Sequence, residues 1–380
     1  MDKGEPLLCP LLQKMTVHGL NNNTKANLVV VGVHGLVSLL GILENALIIW
    51  VLGFRLSSRT VTSVWVLNLA LTDFLATLML PLFTAYLHSS HSWELGDALC
   101  KVQASIFFFN MFVSAFLLAA ISLDRLLLVF KPMWSLKHRS VAGAWKVSAL
   151  GWLWGAINTA PYFVFRSVVE KMDGRKLCYY NFALYLPSNG TLQRDCDVRH
   201  GTMAISKMLL AFLIPLMVIA GSHIIIALTL KARSKWRKRS KFGNAAMVIV
   251  FALCWAPYQI FCMIELTAQD NEETLKLVET WLPLAATLAF LNPVLNPILY
   301  AFSCPNFFVR IRQSLGKVFD ELVAEKEGII RDVTLTTPCS PKSSSSIRQS
   351  SHSYSHLSPI TLVFLEGVQH RGRDDQDSDG

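Results

Sequence analysis

Apolar residues fall in seven long runs separated by short polar stretches, and each run is long enough to cross a bilayer as a helix. The third run is the sharpest. Between Lys101 and Asp124 stand 22 residues without a charge, which at ~1.5 Å of helical rise per residue cover the ~30 Å of bilayer hydrocarbon. That run extends over Cys100–Phe130, and the other six are predicted over about Leu28–Phe54, Val61–Leu87, Val141–Phe165, Thr202–Leu230, Phe242–Thr267 and Leu275–Phe302. A different pattern follows Pro305. There Phe308, Ile311 and Leu315 alternate in helical register with Arg310, Arg312 and Lys317, as expected of a helix lying on the membrane surface. The chain therefore reads as an amino-terminal segment (1–26), a seven-transmembrane helix bundle (27–304), a short amphipathic eighth helix (305–318) and a polar tail (319–380). Serines cluster in that tail between Ser340 and Ser358, and it is expected to be disordered. The fold class is an all-α membrane protein.

Composition agrees, since 52% of the 380 residues are hydrophobic and only 16% are charged, too oily for a water-soluble chain of this length. The net charge of +9 could point to nucleic acid. The cations instead sit in short segments between apolar runs: Arg55 and Arg59, then Lys131, Lys137 and Arg139, then the Lys231–Lys241 stretch. That distribution follows the positive-inside rule and predicts an outside amino terminus and an inside tail, with no part for nucleic acid. No cleavable signal peptide is evident before the first run, because Asp2, Lys3 and Glu5 interrupt any apolar core. Cys9, Cys100, Cys178 and Cys196 then fall outside, where three pairings are open to them, and so do the sequons at Asn22 and Asn189.

Polar groups inside hydrocarbon are costly, so their positions are informative. Asp73, Asn110, Ser114, Asn292 and Asn296 come from three runs and could converge, either as a small-cation site with Asp73 as the charged ligand or as a hydrogen-bonded packing knot. Glu44 has no obvious partner. Lys207 and Arg166 stand near the outer ends of the fifth and fourth runs, and Phe107, Phe108, Tyr179, Tyr180 and Tyr258 offer aromatic walls nearby. Two readings are open here: a pocket for an apolar ligand with a carboxylate, or a snorkelling lysine above an aromatic belt. Pro215, Pro257 and Pro297 interrupt helical bonding within runs and could act as hinges or as static kinks.

Several motifs together resemble the rhodopsin-like G-protein-coupled receptors over Asn45 to about Lys317. They are Asp124-Arg125-Leu126, Cys254-Trp255-Ala256-Pro257, Asn296-Pro297-Ile298-Leu299-Tyr300, Asp73, Trp152, Pro215 and the cysteines Cys100 and Cys178. Further stretches, His91–Gly96, Ser105–Phe108, Pro161–Arg166 and Asp173–Arg175, resemble the chemoattractant branch of that family. The resemblance implies bridges Cys100–Cys178 and Cys9–Cys196, the second pinning the amino-terminal segment over the pocket. It implies a plasma-membrane receptor for a prostanoid-like acidic lipid. The binding set would be Arg166, Lys207, Tyr180, Tyr258, Phe107, Phe108, Phe83, Tyr179, Glu265, Leu282, Pro283, Phe290, Gln103 and Tyr86. It turns the polar centre, with Trp255, into an allosteric sodium site that favours the inactive state; no other cofactor is implied.

The same resemblance implies coupling to an inhibitory-type heterotrimeric G protein, through Arg125 leaving a pairing with Asp124 and through movement at Pro257, Pro297 and Tyr300. Receptor kinases and arrestin would act on the serine-rich tail. The chain departs from the family pattern where Leu126 replaces the usual Tyr, and Gln103 and Tyr86 stand where His and Phe are expected. A peptide chemoattractant receptor of the formyl-peptide or anaphylatoxin type is the competing reading, given the acidic stretch with Asp270, Glu272 and Glu273. A retinal protein needs a lysine that Val278–Phe302 lacks, and an amine receptor needs an acid where Phe107 stands. Internal repeats and a catalytic constellation are missing too, which argues against a transporter or an enzyme.

Overall fold

The structure, a computed structural model, describes residues 7–17, 28–56, 58–186, 191–232, 238–268, 271–303 and 316. All belong to one compact unit, Met1–Leu322, and the second unit, Val323–Gly380, contains none of them. The sequons at Asn22 and Asn189, the amphipathic eighth helix apart from Gly316, and the serine-rich tail lie outside the described residues.

Seven membrane-length helices form the bundle: α2 (Leu28–Trp50, prolonged by a π turn to Arg55), α3 (Val61–His88), α4 (Gly96–Phe130), α6 (Val141–Phe165), α7 with α8 (Leu192–Met208 and Ile214–Ala232), α9 (Lys238–Ile264), and α10 with α11 (Glu272–Ala289 and Asn292–Ser303). Among the described residues two short α-helices, α1 (Pro10–Val17) and α5 (Pro132–His138), stand beside them. Six of the long stretches are apolar enough to cross a membrane by composition alone. The seventh, α6, is diluted by Gly, Asn, Thr and Trp but carries no charge between Lys146 and Arg166. Large apolar side chains face outward around the bundle, among them Leu36, Leu43, Leu153, Ile157, Met217, Leu228 and Leu253. Such a belt suits hydrocarbon as its solvent.

Helix starts follow local chemistry. Thr60 and Ser63 form a reciprocal capping box before α3, Ser140 accepts from the Gly143 amide before α6, and Asn271 accepts from Glu273 and Thr274 before α10. Prolines are used as connectors. Pro81 has no N–H for the Thr77 carbonyl, and Ser38 of α2 donates to that carbonyl at 3.3 Å. Likewise Pro297 cannot serve the Pro293 carbonyl, to which Asn45 of α2 donates at 3.2 Å. Two carbonyls freed by proline thus stitch α2 to α3 and α11. Before Pro215 the helix widens into a π turn, Leu209–Leu213, where the proline leaves the Ala211 carbonyl without its usual donor. On α6, Gly151 and Gly155 sit one turn apart against α4, where an added Cβ would come within 2.6 Å of Phe116 and 2.3 Å of Val113. Close packing of this small-xxx-small kind substitutes for the missing hydrophobic drive between helices in lipid.

The structure refines expectation in three places. The stretch Arg166–Arg199, which lies between two of the apolar runs, contains an antiparallel hairpin of β1 (Arg166–Glu170) and β2 (Lys176–Tyr180) beside the helical bundle. The fifth helix begins at Leu192, about three turns before Thr202, because its polar first turns need not lie in hydrocarbon. The seventh run breaks at Phe290–Leu291, where Pro293 leaves the Ala289 carbonyl without its helical donor.

Both expected disulfides are formed. Cys100–Cys178 ties the start of α4 to β2, and Cys9–Cys196 ties the residue before α1 to α7, with Cα separations of 5.8 and 5.9 Å. Leu11 and Met15 of α1 pack against Leu177 and Tyr179, so α1 and the hairpin close one end of the bundle together.

Candidate functional site

Beneath the hairpin lies a cavity of about 170 Å³, bounded by α3, α4, α7, α9, α10 and the hairpin itself. Its walls include all fourteen residues expected to form a binding set, from Phe83 and Tyr86 on α3 to Phe290 at the end of α10. Phe107 is central to the aromatic packing. Its ring lies 5.4 Å from Tyr258, 5.0 Å from Phe290 and 5.2 Å from Phe108 between centroids, within the range where edge-on and tilted aromatic pairs attract.

Three cations line this space, Lys171 and the two of the expected set, Lys207 and Arg166. Lys207, only 5% exposed, places its Nζ 5.5 Å and 5.2 Å from the ring centroids of Phe108 and Tyr258 and donates to Cys262 Sγ at 3.0 Å. Arg166 lies 4.6 Å over the Tyr180 ring, with Nε 3.3 Å from Cys178 Sγ. Among the described residues neither Lys207 nor Arg166 has a carboxylate within ion-pair distance. Glu265, the one acid in the expected set, is occupied by the Tyr179 hydroxyl, in a short hydrogen bond, and by His200 at 3.7 Å. A buried charge without its counter-charge is costly, so the site favours an anion.

Sequence reasoning missed other residues of the wall. Met15 arrives from α1, His91 and Trp93 from the link between α3 and α4, Cys262 from α9, and Lys171 from the hairpin with its Nζ 4.0 Å from Glu279 Oε1. Burial pushes the Lys171 ammonium below the usual lysine range, an effect that Glu279 partly offsets. Burial also pushes His91 down, helped by the neighbouring cations Arg175 and Lys171. Only Cys262 had a legible signal: it follows Tyr258 by four residues and precedes Glu265 by three, which places all three on one helical face.

Deeper in the bundle the expected polar centre is assembled. Asp73, fully buried, accepts on Oδ1 from Asn110 at 2.9 Å and Ser114 at 3.2 Å, and on Oδ2 from Asn296 at 2.8 Å. Asn296 also donates to Asn292 Oδ1 at 3.3 Å. The Asn296 amide oxygen is buried with no hydrogen-bond partner, and with Asp73 and the Ser114 hydroxyl it makes an oxygen set that fits a small hard cation. Trp255 contributes no donor oxygen. Its ring packs 6.0 Å from Phe107 and its indole N–H is buried without a partner, so it links the cavity to the layer below and cannot itself ligate an ion.

At the other end, Asp124 is held by Arg139. Both carboxylate oxygens of Asp124 accept from Arg139 at 2.8 Å, and Arg139 also donates to Thr62 at 3.1 Å. Consecutive helical side chains diverge, whereas Arg139 approaches face-on from the link between α5 and α6. Pro257 and Pro297 lie inside α9 and α11, and the Tyr300 side chain is outside the described residues.

The family profile "7 transmembrane receptor (rhodopsin family)" matches residues 44–300. The chain is 46% identical to prostaglandin D2 receptor 2 of Mus musculus over 327 residues, 84% of each chain. It is 45% identical to the Rattus norvegicus receptor of the same name, over 84% of this chain and 79% of that one. A C3a anaphylatoxin chemotactic receptor of Oncorhynchus mykiss is 34% identical over 83% of this chain and 82% of its own.

Proposed function

We infer that this chain, which belongs to the rhodopsin family of seven-transmembrane receptors, is switched by an acidic lipid, with prostaglandin D2 as the first candidate. Members of the family are receptors and not enzymes, and they work with a ligand and a heterotrimeric G protein. The observation that carries the lipid reading is the pair Lys207 and Arg166, cations in an aromatic cavity with no carboxylate partner among the described residues. A carboxylate there makes charge-assisted hydrogen bonds worth ~1.5–3 kcal/mol, while the apolar body fills the space towards Phe107 and Phe290.

The receptor is proposed to sit in the plasma membrane with its disulfide-bonded end outside. A lipid that binds the active arrangement more tightly shifts the population towards it. Pressure on Phe107 reaches Trp255, and α9 turns about Pro257. At the inner end the Asp124–Arg139 pair is the contact proposed to open as Arg125 turns to an inhibitory-type G protein. A sodium ion, where bound, would be held by Asp73, Ser114 and Asn296 and would supply positive charge against the buried carboxylate. Phosphorylation of the serine-rich tail by receptor kinases would add ~1.5–2 negative charges per site for arrestin.

Cells expressing the chain should lower cyclic AMP in response to prostaglandin D2, and Lys207→Ala should shift the response to higher concentration. A silent wild type with normal surface expression overturns the lipid reading. The 34% likeness to an anaphylatoxin receptor supports a peptide ligand as the second reading. Displacement of labelled prostaglandin D2 by the lipid but not by anaphylatoxin or formylated peptides separates the two.

A further inference from the structure

The acidic-lipid reading leaves one reactive group in the cavity unused. Cys262 is a free thiol in the cavity wall, 2% exposed, with Lys207 Nζ at 3.0 Å from its sulfur. The adjacent ammonium opposes the cost that burial places on the thiolate, the nucleophilic form. A second group in the same wall calls for a ligand oxygen: the Tyr180 hydroxyl is buried without a hydrogen-bond partner, on a side chain only 8% exposed. The other described free cysteine, Cys254, is not part of the wall and serves as an internal control.

We propose that Cys262 is a covalent capture site for carboxylic-acid lipids that carry an α,β-unsaturated ketone. The carboxylate docks at Arg166, which rests on the acidic-lipid reading, and the ketone oxygen accepts a hydrogen bond from Lys207 or Tyr180. Cys262 sulfur then forms a bond to the β-carbon, and the carbon–carbon double bond's electron pair moves through the α-carbon onto the ketone oxygen as an enolate. The Lys207 ammonium opposes that developing charge. The proton lost from the thiol is returned at the α-carbon as the ketone re-forms. The product is a thioether whose mass is the sum of chain and lipid, so neither oxidant nor reductant is consumed. Lys207 acts here as a positioning and charge-stabilising group, and Cys262 as the nucleophile.

The test uses the purified full-length receptor with prostaglandin A2, a cyclopentenone acid, beside the same acid with its ring double bond saturated. Mass spectrometry of the intact chain and of its peptides should show one adduct at Cys262, slowed by an excess of the saturated acid. Cys262→Ser should lose that adduct, while the wild type binds the saturated acid reversibly and without a mass change. Lys207→Met at saturating probe should slow adduct formation by about 100-fold, as loss of an oxyanion donor does. Reversible binding of both acids to the wild type with no adduct at Cys262 overturns covalent capture and leaves the acidic-lipid reading standing. Absence of binding and of adduct overturns both. An adduct at other cysteines that the saturated acid does not slow, with Cys262 unmodified, also overturns capture.

Discussion

Lys207 and Asp73 both carry ionisable groups into a helical bundle, and the bundle treats them in opposite ways. Asp73 is surrounded by neutral donors on rigid helices, Asn110, Ser114 and Asn296, each within 3.2 Å. Lys207 faces a cavity and meets only soft partners, a thiol and the faces of two rings. A carboxylate wrapped in hydrogen bonds is part of the architecture. An ammonium left without an anion beside an apolar cavity is what the proposed ligand site rests on, because its missing counter-charge can come from a ligand.

The largest expected effect comes from removing the closure that makes the cavity. Cys100→Ser, which also frees Cys178, should cost ~2–5 kcal/mol and abolish both surface expression and lipid binding, measured by antibody staining and radioligand saturation. Next comes a pair of substitutions that breaks the contrast directly. Lys207→Ala should weaken lipid affinity roughly 10- to 150-fold, the value of a charge-assisted hydrogen bond, without lowering thermal stability. Asp73→Ala should do the reverse: it strands the Asn110 and Asn296 amides, lowers stability by ~1–3 kcal/mol and leaves sodium-free lipid affinity nearly unchanged. Equal losses of stability in both variants would contradict the distinction.

The smallest effect concerns His91 in the cavity wall. Its folded pKa lies below the ordinary value of 6.5, so as pH falls below about that value the unfolded chain takes up the proton first. Stability is therefore full above the unfolded pKa and declines as pH falls through it towards the folded pKa. Thermal melts between pH 7.5 and 5 should show this slope reduced in His91→Gln. An unchanged slope would remove His91 from the account.

Hydropathy alone located the helices, because lipid forces backbone hydrogen bonds inside each segment and so makes a span a local property. Arg166, Lys207, Phe107, Phe108, Tyr179, Tyr180 and Tyr258 were offered by the residue pattern as one of two open readings, and the other pocket residues were recognisable only by resemblance to a known family; periodicity could have added Cys262, and nothing in the sequence pattern separated Lys171 or His91 from other loop residues. Those two belong to turns and hairpins whose position depends on disulfides joining residues 78 and 187 apart. Arg139 as a partner of Asp124 was hidden for a related reason, since it stands 15 residues away and is delivered by the fold.

For the third run the division is clear. The sequence by itself determined that Cys100–Phe130 crosses a membrane, and that its middle carries Asn110 and Ser114 on one face, because both are matters of length and of 3.6-residue periodicity. Only the tertiary structure decided that Asp73 and Asn296 meet that face, that Phe107 touches both the cavity and Trp255, and that Lys207 arrives without a carboxylate. Such facts depend on where other helices stand. Their positions are set by packing at Gly151 and Gly155, by carbonyls that prolines leave free, and by two disulfides, none of which acts within a single helix.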